Sequence, residues 1–159
     1  MLTKPEYGCS DFNLDGTSVY RLSYLTDIPF DWLNEAIHGL ETLNPFCVDG
    51  FMEPGRFICV VSFWNCHIIC EAEDRYPLNP QNTIHEISHT SMLQFCQQVY
   101  DDISENLDDW ACWDNYGWDD DESEFDFDTS KEELIKKLAR LKELIAENKE
   151  HFGENHCFL

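Results

Sequence analysis

Positive charge is the scarcest property of this 159-residue chain, which has 10 Lys and Arg against 32 Asp and Glu. The formal net charge is −22, and residues 76–130 contain no Lys or Arg. Nucleic acids and anionic membranes are polyanions, so direct binding to either is not expected. The charge instead favours a basic partner protein, a bound cation, or no role beyond solubility.

Long apolar runs and processing signals are also lacking. No stretch of 18 apolar residues occurs, and the first seven residues contain no apolar signal region. We therefore expect a cytoplasmic protein without a membrane span. None of the eight cysteines forms a C-x-x-C pair, and several fall in apolar runs, so reduced and mostly buried thiols are expected. A phosphate-binding glycine loop and a G-x-S-x-G motif are missing as well.

Hydrophobic residues are plentiful, at 43% of the chain with 14% aromatic, which is enough for a packed core. The length fits a single domain over residues 1–159. Apolar periodicity predicts an α+β fold, with an antiparallel sheet of about four strands and three helices packed mainly on one face. The predicted strands are 17–25, 46–52, 56–64 and 67–72, and the predicted helices follow Asp27, span 91–110 and span 130–151.

The segment 100–128 combines acidic and aromatic side chains. It holds thirteen carboxylates and seven aromatic rings. A solvated acidic loop pinned by a few rings explains this composition, and so does a binding surface for a basic partner. The residues predicted to contact such a partner are Asp101, Asp102, Glu105, Asp108, Asp109, Trp110, Trp113, Trp118, Asp119, Asp120 and Asp121.

Residues 85–89 match the H-E-x-x-H pattern, whose spelling resembles the zincin metalloproteases. On a helix, His85 and His89 would lie one turn apart and hold zinc, with Glu86 as the general base. The apolar stripe slips phase after Ile87, which instead favours a strand at 83–88 followed by a helix capped by Thr90 or Ser91. In a strand, Glu86 points away from both histidines.

Two other clusters have simpler interpretations. Residues 11–16 match the first half of a calcium loop, but the twelfth position is Leu22 instead of glutamate, so an Asp-Gly turn is favoured over calcium binding. Cys59, Cys66, His67 and Cys70 do not have the spacing of structural zinc sites, which favours core packing.

The leading hypothesis is a non-enzymatic acidic inhibitor that needs no cofactor and neutralises a basic, nucleic-acid-processing partner. Such a protein would be an immunity protein or antitoxin against a nuclease toxin, or a phage-type DNA mimic that blocks a restriction or CRISPR-type defence enzyme. The alternative is a small zinc-dependent hydrolase that uses His85, Glu86 and His89.

Overall fold

A computed structural model describes residues 1–71, 81, 83–113 and 126–153. Six strands and four helices occur in the described chain. The strands are β1 (Cys9–Phe12), β2 (Tyr20–Ser23), β3 (Phe46–Phe51), β4 (Arg56–Val61), β5 (Cys66–Glu71) and β6 (Thr83–Ser88). The helices are α1 (Ile28–Thr42), α2 (Met92–Glu105), α3 (Leu107–Ala111) and α4 (Phe127–Phe152).

The strands form two antiparallel sheets. Strands β1 and β2 pair with each other, and β3, β4, β5 and β6 form a four-stranded meander in chain order. The helices pack together against this larger sheet, which confirms the predicted α+β fold.

One face of the four-stranded sheet, the inner face, lines the core. Its central strands contribute Phe57, Cys59 and Ile68, all fully buried. The ring of Phe57 contacts the rings of Phe12 and Trp32, with centroids 4.7 Å and 6.3 Å away. The sheet, the β1–β2 hairpin and α1 therefore share one core.

The opposite face, here called the outer face, carries the alternate residues of each strand. The strand register arranges them in three rows: Cys47, Val60, His67 and Ile87; Asp49, Ile58, Ile69 and His85; and Phe51, Arg56, Glu71 and Thr83. Ile58, Val60 and Ile69 are only half-buried, while Phe51 and Ile87 are exposed. Apolar residues at both alternations of β4 therefore leave an apolar patch on this face.

Three sequence predictions need correction. Strand β1 was missed, because four residues beside an Asp-Gly turn give too short an alternation to detect. Helix α4 begins at Phe127, three residues before the predicted start at 130, because Asp126 caps it by accepting a hydrogen bond from Thr129 N. The predicted helix 91–110 is interrupted at Asn106, which separates α2 from α3 without reversing the chain.

The cysteines of the described chain are free thiols. Cys59, Cys66 and Cys70 point to the inner face and are buried, whereas His67 lies on the outer face and is exposed. The three thiols therefore pack as small apolar groups, as the spacing predicted. Cys157 lies outside the described residues. No helix among those described has the length and apolarity needed to cross a bilayer.

Candidate functional site

The H-E-x-x-H residues lie on a strand and not on a helix. Residues 83–88 form β6, which pairs with β5, and His89 follows the strand in extended chain. His85 and His89 are exposed, and the strand alternation places Glu86 on the other face. The phase slip after Ile87 is explained by the capping box of Ser91 and Gln94, which starts α2.

The Glu86 carboxylate accepts hydrogen bonds from Ser18, just before β2, and from Tyr20, the first residue of β2. It accepts from Tyr20 Oη at 2.6 Å, from Ser18 Oγ at 2.7 Å and from Ser18 N at 2.9 Å. The hydrogen bond from Tyr20 lowers the pKa of Glu86, and those from Ser18 add to this effect. Burial and the same hydrogen bond raise the pKa of Tyr20, so the phenol keeps its proton as a donor.

This geometry differs from that of a zincin site. A zincin site needs two histidines one helical turn apart and a neighbouring carboxylate available to water. Here the carboxylate of Glu86 joins two parts of the fold, on the face opposite the histidines. Within the described ranges, no group of three His, Cys, Asp or Glu side chains is arranged to hold a metal ion.

The acidic residues 101–109 lie on α2 and α3, whose apolar sides are buried. Met92, Cys96, Val99, Ile103 and Trp110 face the core, as the predicted stripe requires. Asp101, Glu105 and Asp108 follow one another on the solvent side at spacings of four and three residues and are exposed. The core contact of the stripe thus fixes a row of carboxylates on the opposite side.

Three of the acidic residues bind cations of this chain. Asp102 lies 3.2 Å from the amino group of Met1 and accepts from Leu2 N at 2.7 Å. Asp109 pairs with Lys4 at 3.2 Å, and Asp108 pairs with Lys131 at 2.6 Å. Part of the predicted partner surface therefore also holds α2 and α3 against the N-terminal segment and α4.

Two of the predicted partner residues form no ion pair with the described residues. Asp101 accepts from Gln97 Nε2 at 2.9 Å, and Glu105 is exposed. The chain around Glu105 forms a shallow cleft lined by residues 104–109. Asp101 and Glu105 are thus the carboxylates of this row most available to an outside cation.

Trp110 and Trp113, which the sequence analysis placed on the partner surface, lie in the core of this chain. Both are 1% exposed, and their rings pack together with centroids 5.2 Å apart. Trp113 Nε1 donates to the carbonyl of Thr26 at 2.7 Å, which ties the chain after α3 to the chain before α1. These rings serve the core, because large apolar rings gain more from burial than from solvent exposure. Trp118, Asp119, Asp120 and Asp121 lie outside the described residues.

The partners of Glu86, Asp102 and Asp108 could not be found by sequence reasoning. Tyr20, Leu2 and Lys131 lie far from them along the chain, and no local spacing links the members of each pair. The sequence composition indicated only the acidic members of these pairs, as a local cluster of carboxylates.

Comparisons of this chain with protein-family models, with curated proteins and with solved structures find no match.

Proposed function

We propose that this protein is a non-enzymatic inhibitor that binds a basic, nucleic-acid-processing partner through the acidic side of α2 and α3. The observation that carries the proposal is the row of Asp101, Glu105 and Asp108 on a rigid, core-anchored helix pair. A protein of this kind acts as an immunity protein or antitoxin, or as a mimic of DNA against a defence enzyme.

Charge spacing supports this mode of binding. Asp101, Asp102 and Glu105 place three carboxylates over roughly 6 Å of the α2 axis, and Asp108 and Asp109 follow in α3. Duplex DNA carries about one phosphate charge per 1.7 Å, so the two linear densities are of the same order. A basic groove that accepts phosphates would therefore meet a comparable run of negative charge, and association would be fast and sensitive to salt.

The internal ion pairs support preorganisation. Asp108 and Asp109 are held by Lys131 and Lys4, yet the carboxylate side chain of Asp108 remains 71% exposed. A charge held in place before binding loses less side-chain freedom in the complex. The paired acids therefore shape the surface, while Asp101 and Glu105 offer the unpaired charges.

The proposal is tested by capture and competition. The protein is immobilised and exposed at low salt to lysate of its source, and the captured protein is identified and purified. We expect a basic nuclease or another nucleic-acid-binding enzyme that is released by salt and by duplex oligonucleotide. A captured protein with which the oligonucleotide does not compete would contradict the proposal.

A matched pair of variants locates the surface. D101N/E105Q removes the two unpaired charges, and the binding of the purified partner should weaken about tenfold, since roughly 1.4 kcal/mol of charge contact is lost. E147Q/E150Q removes two exposed charges near the C-terminal end of α4 and should change affinity little. Equal losses for both double variants would mean that only total charge matters and would refute the assigned surface.

A further inference from the structure

The outer face of the four-stranded sheet has apolar side chains where a solvated sheet face carries polar ones. Ile58, Val60 and Ile69 lie together in its centre, and Ile87 beside them is 57% exposed. Antiparallel sheets with one wet face normally alternate apolar inward and polar outward residues. The helices of the described chain pack with the buried inner face, so this patch has no cover among them. Contiguous exposed apolar patches mark interaction sites.

Within a row of the outer face, the residues on one half of the sheet complement those on the other half. In the middle row, Asp49 lies on one edge strand and His85 on the other, with Ile58 and Ile69 between them. In the row beside it, Arg56 of β4 is adjacent to Glu71 of β5 and pairs with it at 2.9 Å. Each half of the sheet thus carries groups that match those of the other half.

A dimer with two-fold symmetry would bring these complementary groups of two copies together. If two copies pack face to face about an axis parallel to the strands and midway between β4 and β5, then β4 covers β5 and β3 covers β6 of the other copy. Ile58 then meets Ile69 of the second copy. Asp49 meets the second copy's His85, and Arg56 meets its Glu71. These three pairs of positions find counterparts in one packing, while the remaining row sets Val60 opposite the second copy's His67.

We propose that the outer face of β3–β6 is a homodimer interface whose occupant is a second copy of this chain. Hydrogen-bond complementarity between Asp49 and His85 at the two edges, together with charge complementarity between Arg56 and Glu71, selects this occupant. Packing of aligned sheets at about 10 Å separation buries the central Ile and Val side chains. The interface is separate from the acidic side of α2 and α3. The dimer proposal therefore does not depend on the proposed inhibitor function.

The first test is the mass of the protein in solution as a function of its concentration. Sedimentation velocity or light scattering should show a reversible monomer–dimer equilibrium. V60T/I69T replaces two central apolar side chains and should weaken dimerisation at least about tenfold. The matched control V19T/I135T makes the same replacements at exposed positions elsewhere and should leave the equilibrium unchanged. Circular dichroism verifies that both variants are folded.

The second test distinguishes a second copy from every other occupant. Asp49 and His85 lie on opposite edge strands, three strand spacings or roughly 14 Å apart, so they do not touch within one copy. H85E places a carboxylate opposite Asp49 of the other copy and should weaken dimerisation about tenfold. Adding D49K in the same chain should restore it, because Lys then faces Glu across the interface.

The outcomes decide the proposal. Dimerisation that is weakened by V60T/I69T and H85E and restored in D49K/H85E supports the proposed packing. A monomer at every concentration overturns it, including the case in which another segment of the chain covers the face. A dimer unaffected by V60T/I69T, or an H85E variant that D49K does not rescue, also overturns it.

Discussion

At the scale of single residues, Glu86 has a structural role in place of the catalytic one that its motif suggests. Its carboxylate accepts three hydrogen bonds from Ser18 and Tyr20 and thereby attaches strand β6 to the start of β2 and the residues just before it. Hydrogen bonds to a charged acceptor contribute more to stability than those between neutral groups. The ionised form of Glu86 is therefore part of the folded state.

Glu86→Gln should destabilise the protein by roughly 1–2 kcal/mol at neutral pH, because the charged acceptor is lost. The folded-state pKa of Glu86 lies below its ordinary value of 4.5. A lowered pKa stabilises the fold above the ordinary value, and this stabilisation is lost as pH falls through the folded pKa. Urea unfolding should thus show a clear difference from the parent at pH 7 that narrows as the pH falls below the ordinary pKa of 4.5 and through the lower folded-state pKa. As a control, Glu132→Gln on the exposed side of α4 should show little difference at either pH. A pH-independent loss for Glu86→Gln would contradict the ionic role.

At the scale of elements, the contact between α1 and β3 depends on a missing side chain. Gly39 lies in the last turns of α1, directly against the buried ring of Phe46. That ring also packs edge-on against Phe95 of α2, with centroids 5.9 Å apart. A glycine in a helix normally costs stability relative to alanine, so its presence here has a packing reason.

Gly39→Ala should therefore destabilise the fold by about 1–3 kcal/mol, despite the better helix propensity of alanine, because the added Cβ overlaps the Phe46 ring. The free energy of unfolding in urea measures the effect. Phe46→Leu alone costs packing, but in the Gly39→Ala background the smaller side chain makes room for the methyl group, so the double variant should lose less than the two single losses combined. Additive losses would show that Phe46 is not the obstacle.

At the scale of the whole molecule, the net charge of −22 opposes compactness. A few acids are compensated within the structure, through pairs such as Lys4–Asp109 and Lys131–Asp108. Exposed pairs of this kind contribute at most about 1 kcal/mol each. The repulsion among the remaining acids therefore dominates the electrostatic part of stability.

Added sodium chloride should accordingly raise the stability of this protein. The Debye length falls from about 10 Å at 0.1 M to about 3 Å at 1 M, which screens repulsion between distant carboxylates. We expect the urea midpoint to rise with salt and to depend less steeply on salt in E147Q/E150Q, which carries less charge. A midpoint that falls with salt would mean that the internal ion pairs outweigh the repulsion.

Features that depend on near neighbours along the chain could be predicted from the sequence. The strand at 83–88 and a helix cap at Thr90 or Ser91 were predicted because strand pleat and capping are local, and the structure selects Ser91 as the cap. The buried stripe of α2 followed from helical periodicity. The exposed acidic side of the same helix was predicted for the same reason.

Only the tertiary structure decided what the distinctive residues do. It buried Trp113 on the carbonyl of Thr26, 87 positions away, and joined Asp102 to Leu2 across 100 positions. It also turned Glu86 from a possible base into a link with Tyr20. Such contacts depend on which elements meet in space, and hydrogen bonds between residues far apart along the chain leave no periodic trace in the sequence.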